Sequence, residues 1–189
     1  MVLAKREKTR RIGIGECYAS ASPVVITTLL GSCVAVCLWD PARKIGGMNH
    51  ILLPGRADLK HFNMPARFGV NAMEQLINDL IRLGGRKKNL VAKIFGGSNI
   101  YPALRENLAT GPRIVAFVKE FLSLESIEII RENTGGNDTR VIYFHTDTGD
   151  VFLRRTVSSM TARLVARENE MLEKLAAEVA KLAKIEWFH

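Results

Sequence analysis

The chain has 189 residues, of which 47% are hydrophobic and 24% are charged. This composition supports one domain with a substantial apolar core, and it excludes a disordered, collagen-like or disulfide-scaffold protein. Lysine and arginine total 27 against 19 acidic residues, and the resulting net charge of +8 favours an acidic partner without identifying it. Three cysteines without Cys-x-x-Cys spacing, no recognisable secretory signal and only short apolar runs predict a cytoplasmic protein that does not insert into membranes.

Residues 1–11 are basic and predict a solvated tail. The β-branched stretch 24–28, the apolar stretch 33–39 and the segment 46–53 predict three strands, and the turn at Asp40-Pro41 joins the last two into a hairpin. Further along the chain, apolar residues recur at helical or strand spacing. They predict helices at 68–83 and 112–122 and strands at 89–95, 127–130, 141–144 and 151–153.

From Ser158 onward the composition changes to Ala, Glu, Lys and Leu with an apolar stripe at helical spacing. This pattern predicts one long amphipathic helix, which either covers the core or reaches a partner helix. We therefore divide the chain into a basic tail (1–11), a folded domain (12–157) and a helical extension (158–189). Strands and helices alternate through the middle of the chain, which is typical of a layered α/β domain with mixed sheets.

The candidate for chemistry is Cys33, which directly follows Gly31-Ser32. Small residues let a substrate approach the sulfur, and they leave the backbone N–H groups near Gly31 and Ser32 free to stabilise an oxyanion. A cysteine in a valine-rich strand is more often part of the core. This motif alone therefore does not establish a nucleophile.

The predicted hairpin strengthens the case. Pairing Trp39 with Gly46 places Ala35 opposite His50, so that Cys33 and His50 lie on one face of the sheet. An imidazole there accepts the thiol proton, and the resulting imidazolium lowers the thiol pKa. The hypothesis requires both groups to project into one cleft that solvent reaches.

A third group usually orients such an imidazole. The hydroxyls of Thr27 and Thr28 are available, whereas Asn49 is adjacent in sequence but faces the other way in a strand. Spacing alone does not choose among these three residues.

Several motifs in this order resemble the CheD family of chemoreceptor glutamine deamidases. The resemblance covers about residues 10–155 and rests on motifs that are far more specific together than singly. They are Thr27 to Asp40 (TTLLGSCVAVCLWD), Gly46 to His50 (GGMNH), Leu52 to Pro54 (LLP), Arg67 to Ile77, Ala92 to Ser98 (AKIFGGS), and Gly135-Gly136 with Arg140.

The resemblance implies a layered α/β sandwich with a papain-like Cys–His site and hydrolysis of receptor glutamine side chains to glutamate. It makes Cys33 the nucleophile, His50 the general base and Thr27 the hydroxyl that orients the histidine. No metal or organic cofactor is implied. The implied partners are the cytoplasmic domains of chemoreceptors, whose acidic helices would attract a cationic enzyme, and a CheC-type phosphatase; receptor methylesterase activity is a possible side reaction.

The competing hypothesis is a non-catalytic adaptor that keeps the fold and binds CheC or receptors. Nucleic-acid binding is disfavoured because the aromatic residues do not alternate with basic ones on a strand. The remaining histidines, His61, His145 and His189, have no metal-ligand spacing. Cys37 is expected to be core, Cys17 is assigned no role, and Gly96-Gly97 predicts a close packing turn rather than a phosphate loop.

Overall fold

The computed structural model describes residues 8–53, 55–99, 110–156 and 158–182. Predictions that fall on residues 1–7, Pro54, residue 157 and residues 183–189 lie outside this part of the chain. In the described part the fold is mixed α/β. Its helices are α1 (Met64–Arg82), α2 (Thr110–Leu124) and α3 (Ser158–Leu182), with a short 3₁₀ turn at Lys87–Asn89.

Two mixed sheets form the body of the fold. The strands are β1 (Thr9–Arg11), β2 (Cys17–Ser20), β3 (Val25–Leu30), β4 (Val34–Asp40), β5 (Ile45–Ile51), β6 (Val91–Gly96), β7 (Glu128–Thr134), β8 (Arg140–His145) and β9 (Val151–Arg155). One sheet has the order β1-β3-β8-β9 and the other β2-β5-β4-β6-β7. Each contains one parallel pair, β1 with β3 and β6 with β7, among antiparallel neighbours. The predicted mixed-sheet α/β class is therefore confirmed.

The predicted hairpin is also confirmed, because β4 and β5 pair antiparallel with Trp39 opposite Gly46. Two short strands were missed. Thr9–Arg11, which the sequence placed in the basic tail, forms β1 alongside β3, and Cys17–Ser20 forms β2 alongside β5. Both are too short for an alternating pattern to stand out, and neighbouring strands supply their hydrogen bonds.

Helices α1 and α2 cover one face of the five-stranded sheet, and the four-stranded sheet approaches its other face. The Asn63 side chain caps α1 by accepting a hydrogen bond from the Ala66 amide. At Gly46 the two sheets approach closely, since an added Cβ would lie 2.8 Å from the Phe144 ring and from the Thr146 carbonyl. A side chain at this position would force the layers apart, and the space between the sheets is where the candidate site lies.

Helix α3 turns one face towards the domain. Leu164 and Glu168 are buried, and Met171, Leu172 and Leu175 pack against the core at helical spacing. The other described side chains of α3 are mostly exposed. Of the two predictions for this helix, coverage of the core is the arrangement that the structure contains. In the described part of the chain, no helix is both long enough and apolar enough to cross a membrane.

Candidate active site

The register of the hairpin agrees with the sequence prediction. Ala35 lies opposite His50 and Val34 opposite Ile51, and Cys33 immediately precedes β4. The side chain of Asn49 faces away from this side, accepting a hydrogen bond from the Val36 amide and donating one to the Ala72 carbonyl of α1. Because side chains alternate along a strand, His50 points between the two sheets.

The loop that carries Cys33 rests on the Gly96-Gly97 turn. The Gly97 amide donates to the Cys33 carbonyl at 2.7 Å, and the Ser98 amide donates to the Gly31 carbonyl at 2.8 Å. Gly96 has a φ of 101°, and a Cβ there would lie 2.2 Å from the Cys33 carbonyl oxygen. Only glycine allows this approach, so the prediction of a close packing turn is confirmed.

A buried arginine supports the same loop from behind. The Arg140 side chain is 1% exposed and donates hydrogen bonds to the carbonyls of Asn133 and Gly135 and to the Ser98 hydroxyl. Burial lowers the pKa of this guanidinium, with a further contribution from Arg155. The Gly-Gly…Arg motif is therefore structural here, because it holds the ends of β7 and β8 against the turn beneath Cys33.

The imidazole of His50 has one defined partner. Its Nδ1 lies 2.8 Å from the Thr28 hydroxyl oxygen, and that hydroxyl also lies 2.8 Å from the Ile12 carbonyl. A carbonyl only accepts, so the single hydroxyl proton of Thr28 goes to Ile12, and Thr28 must accept from Nδ1–H. The neutral imidazole therefore carries its proton on Nδ1 and its lone pair on Nε2, which has no hydrogen-bond partner among the described residues. This is the tautomer that a base acting through Nε2 requires.

The hydroxyl that contacts His50 is not the one that the resemblance indicated. Thr27 was expected to orient the imidazole, but its neighbour Thr28 makes the bond. Thr27 pairs with Arg11 and Tyr143 within the four-stranded sheet and is half-buried, whereas Thr28 is 2% exposed. Successive residues of a strand face opposite sides, so only Thr28 is turned towards the five-stranded sheet. The assignment of Thr27 to this contact is corrected to Thr28.

The backbone amides near Cys33 hold a carboxylate. The Ser32 amide donates to Oε2 of Glu168 at 3.2 Å, and the Cys33 amide donates to Oε1 at 3.5 Å. The Ser32 hydroxyl adds a 2.5 Å hydrogen bond to Oε2. Glu168 itself is completely buried. Of the two residues predicted to support an oxyanion, Ser32 thus donates to an anion, whereas Gly31 contributes its carbonyl to the Ser98 amide.

Burial and charge both act against a reactive thiol in this arrangement. Cys33 is fully buried and His50 is 3% exposed. Desolvation raises the pKa of Cys33 well above its ordinary value, and the negative charge of Glu168 raises it further. Desolvation lowers the pKa of His50 to about 3, with a smaller contribution from Arg167. The expectation of a solvent-reached thiol with a lowered pKa is therefore wrong for this arrangement, in which both groups are neutral.

A cleft of about 520 Å³ opens beside His50, between α3 and the beginning of the domain. Its lining includes three arginines, Arg11, Arg163 and Arg167, and the acidic residue Glu16. Leu164 of α3 lies on the same cleft. One turn of α3 therefore reaches both groups of the candidate pair, since Leu164 and Arg167 border the cleft at His50 while Glu168 binds beside Cys33.

Sequence reasoning missed two contributors, Ile12 and Glu168. The Ile12 carbonyl fixes the Thr28 hydroxyl, and a backbone group carries no sequence signal. Glu168 is more than 130 residues from Cys33, but one sign was present: it interrupts the apolar stripe of an amphipathic helix, at a position four residues after Leu164. An acidic residue on the inward face of a helix calls for a hydrogen-bonding partner.

Cys37 lies in the core and His61 on a loop, as predicted, and His189 is outside the described residues. Cys37 is 1% exposed within the core, and Cys17 is half-buried with its thiol 3.5 Å from an Asp79 oxygen. His61 lies on an exposed loop next to Asp58, and His145 ends β8. The described residues contain no cluster of three or more His, Cys, Asp or Glu side chains with the geometry to hold a metal ion.

Comparisons with known proteins agree on one family. Residues 52–155 match the family model described as CheD chemotactic sensory transduction. The chain is 38% identical over 174 residues to a protein of Thiobacillus denitrificans named probable chemoreceptor glutamine deamidase CheD, an alignment that covers 91% of this chain and 86% of that protein. A protein of the same name from Stenotrophomonas maltophilia is 44% identical over 80% of this chain and 75% of its own length. A Shewanella oneidensis protein named probable chemoreceptor glutamine deamidase CheD 1 is 42% identical over 82% and 76%, respectively.

Proposed function

This chain belongs to the CheD family, and on that premise we propose that it is a chemoreceptor glutamine deamidase. The reaction is hydrolysis of a glutamine side-chain amide to glutamate with release of ammonia. Its biological consequence is the adjustment of receptor signalling during chemotactic adaptation. The names of relatives that align with most of this chain support the reaction class.

We assign the chemistry to Cys33 and His50. Nε2 of His50 removes the thiol proton, and the thiolate attacks the glutamine carbonyl carbon. The imidazolium then donates its proton to the departing ammonia, leaving a thioester on Cys33. A water molecule, deprotonated by Nε2, hydrolyses this thioester to glutamate and restores the thiol. We give Thr28 the positioning role that the family resemblance implied for Thr27, because its hydroxyl accepts from Nδ1–H and leaves Nε2 free.

One observation carries the proposal: two adjacent backbone amides, at Ser32 and Cys33, converge on a carboxylate at the candidate nucleophile. Amides that bind a carboxylate there are suited to bind the oxyanion that forms when the thiolate adds to a carbonyl. In acyl-transfer enzymes, the backbone amide of the nucleophilic residue is often one of the donors of the oxyanion hole. An adaptor without catalytic chemistry has no need of this arrangement beside a cysteine and a free imidazole nitrogen.

The proposed substrates are the cytoplasmic domains of chemoreceptors, and the proposed setting is the cytoplasm. The net charge of +8 supports attraction of an acidic receptor helix. A CheC-type phosphatase remains the proposed regulatory partner, and receptor methyl esters remain a second class of substrate for the same thiol chemistry.

The test is mass spectrometry of a receptor cytoplasmic fragment after prolonged incubation with the protein. We expect each converted glutamine to gain about one dalton with the wild type and nothing with Cys33→Ala. Cys17→Ala is the matched control, since it removes a half-buried thiol outside the site and retains conversion. Equal spectra with wild type and Cys33→Ala across several receptors would contradict the deamidase and favour the adaptor.

A further inference from the structure

Helix α3 presents a glutamate side chain to the candidate active site in the way that a bound product would. Glutamate is the product of glutamine deamidation, and Glu168 extends from a helix with its carboxylate on the amides of Ser32 and Cys33. The two carboxylate oxygens are divided between the two amides. The carboxyl carbon is thereby held next to the residue that would attack it as an amide.

Coverage of the core does not account for this residue. Leu164, Met171, Leu172 and Leu175 pack α3 onto the domain through apolar contacts, and a fifth apolar residue at 168 would continue that face. Burying a carboxylate instead has a desolvation cost that only its hydrogen bonds offset. The side chain is completely buried, and among the described residues its hydrogen bonds go to the loop that carries Cys33.

The contact also opposes the first chemical step. A negative charge beside Cys33 disfavours formation of its thiolate, and the sulfur is fully buried. A substrate glutamine and Glu168 require the same two amides, so they cannot bind together. Entry of substrate therefore requires Glu168 to leave.

We propose that α3 is an intramolecular, product-like ligand of the active site, with Glu168 in the place of the product glutamate, and that its withdrawal switches the enzyme on. This inference rests on the proposed deamidase function and names the regulation of the same site. Its geometric core, a helix whose carboxylate closes the site over Cys33, is testable without any receptor.

The arginine-lined cleft shows how an acidic helix competes with α3. Arg163 and Arg167 of α3 face the same cleft as Arg11 of the domain, with Glu16 as the acidic side chain in that lining. Three cations in one cleft repel one another, which weakens the docking of α3. An acidic helix would replace two of those cations with anions facing Arg11, and it would bring its own glutamine to Cys33.

The decisive variant is Glu168→Gln, which is nearly isosteric and places an amide where the carboxylate was. The enzyme then carries its own substrate: Cys33 attacks the side-chain carbonyl of the new glutamine, ammonia leaves with a proton from His50, and water releases glutamate. We expect residue 168 to gain about one dalton, at a first-order rate that is the same at two protein concentrations. The double variant with Cys33→Ala should keep its glutamine. Persistence of the glutamine in the single variant, or a rate proportional to protein concentration, would overturn the proposal.

A second measurement reports on closure alone. Alkylation of Cys33 by iodoacetamide, followed at that peptide by mass spectrometry, should be at least about tenfold faster in Glu168→Ala than in the wild type. Glu173→Ala is the matched control, because Glu173 is an exposed glutamate of the same helix, and it should label like the wild type. Circular dichroism checks that each variant retains its fold. Equal labelling of all three proteins would contradict the proposal.

The two measurements separate the failure of this inference from that of the proposed function. Faster labelling of Glu168→Ala, with no receptor fragment deamidated by any variant, would leave α3 as the cover of the site and remove the deamidase. Receptor conversion at one rate by wild type and Glu168→Ala, with unchanged labelling, would retain the deamidase and remove the regulatory role of α3.

Discussion

The loop at Cys33 and helix α3, which contacts it, are held by different kinds of interaction. Backbone hydrogen bonds from Gly97 and Ser98 fix the loop, and the fully buried Arg140 supports it from behind. Helix α3 is held by a few apolar side chains and by the hydrogen bonds of Glu168. The difference indicates that helix α3 opens at lower free energy than the loop, because regions with few buried contacts open more easily. The following predictions test the two halves of this comparison.

The largest expected effect is at the support of the loop. Gly96→Ala places a Cβ against the Cys33 carbonyl, at a positive φ that alanine adopts only with strain. We expect a loss of about 2–4 kcal/mol in the free energy of unfolding and a loss of activity of at least about 100-fold, measured by urea denaturation and receptor deamidation.

Gly135→Ala is the matched control for Gly96→Ala. Gly135 has a φ of 73°, but no atom lies within 4 Å of an added Cβ. It should incur only the backbone strain, on the order of 1 kcal/mol, and keep the activity. Equal effects of the two substitutions would show that the contact with Cys33 does not hold the loop.

The next effect concerns the orientation of the base. Thr28→Val removes the hydroxyl that joins Ile12 to Nδ1 of His50, so the imidazole loses its fixed tautomer. We expect kcat to fall by about 10–100-fold with a small change in KM, because the loss affects the base rather than substrate binding. Thr27→Val alters the adjacent residue and should leave kcat within about twofold of the wild type. A larger loss for Thr27→Val than for Thr28→Val would restore the original assignment.

A smaller effect follows from burying His50 in its neutral form. Its pKa is lowered from 6.5 to about 3, so between these values the unfolded chain binds a proton that the folded chain does not. The free energy of unfolding should therefore decrease as the pH falls below 6.5, with about 1.4 kcal/mol per pH unit due to this residue. Urea denaturation at several pH values should show that the free energy of unfolding depends less steeply on pH in His50→Gln than in the wild type. Equal slopes in wild type and His50→Gln would contradict a buried neutral imidazole.

The smallest effect is expected on the outer face of α3. Lys174 and Glu170 form an exposed ion pair one turn apart. Such pairs contribute little in water, so Lys174→Ala should not measurably change the alkylation rate of Cys33. A clear acceleration would mean that outward-facing charges, and not Glu168, hold the helix in place.

The hairpin that carries His50 could be predicted from local patterns. The pairing of Ala35 with His50 followed from the turn at Asp40, which fixed the register. The same alternation decides between Thr27 and Thr28 once it is known which face of β3 lies against the five-stranded sheet. The sequence does not reveal the sheet that contains β3, since β1 has only three residues and its pairing with β3 is set by tertiary contacts.

The relation between α3 and the loop could not be predicted in this way. An amphipathic stripe shows that a helix packs against something, but it does not show where on the domain it packs. The contact between Glu168 and Ser32 joins residues 136 positions apart. Only the assembled fold reveals that the acidic residue in the stripe meets two backbone amides.

The attachment of Ser98 has a consequence for how the protein loses its shape. The amides of Gly97 and Ser98 are bonded to the carbonyls of Cys33 and Gly31, while the Ser98 hydroxyl accepts from Arg140, a residue of the opposite sheet. These two amide protons should therefore exchange with deuterium only when both sheets unfold together. The Gly96-Gly97-Ser98 turn beneath Cys33 should then stay folded under heating or denaturant for as long as the domain itself does.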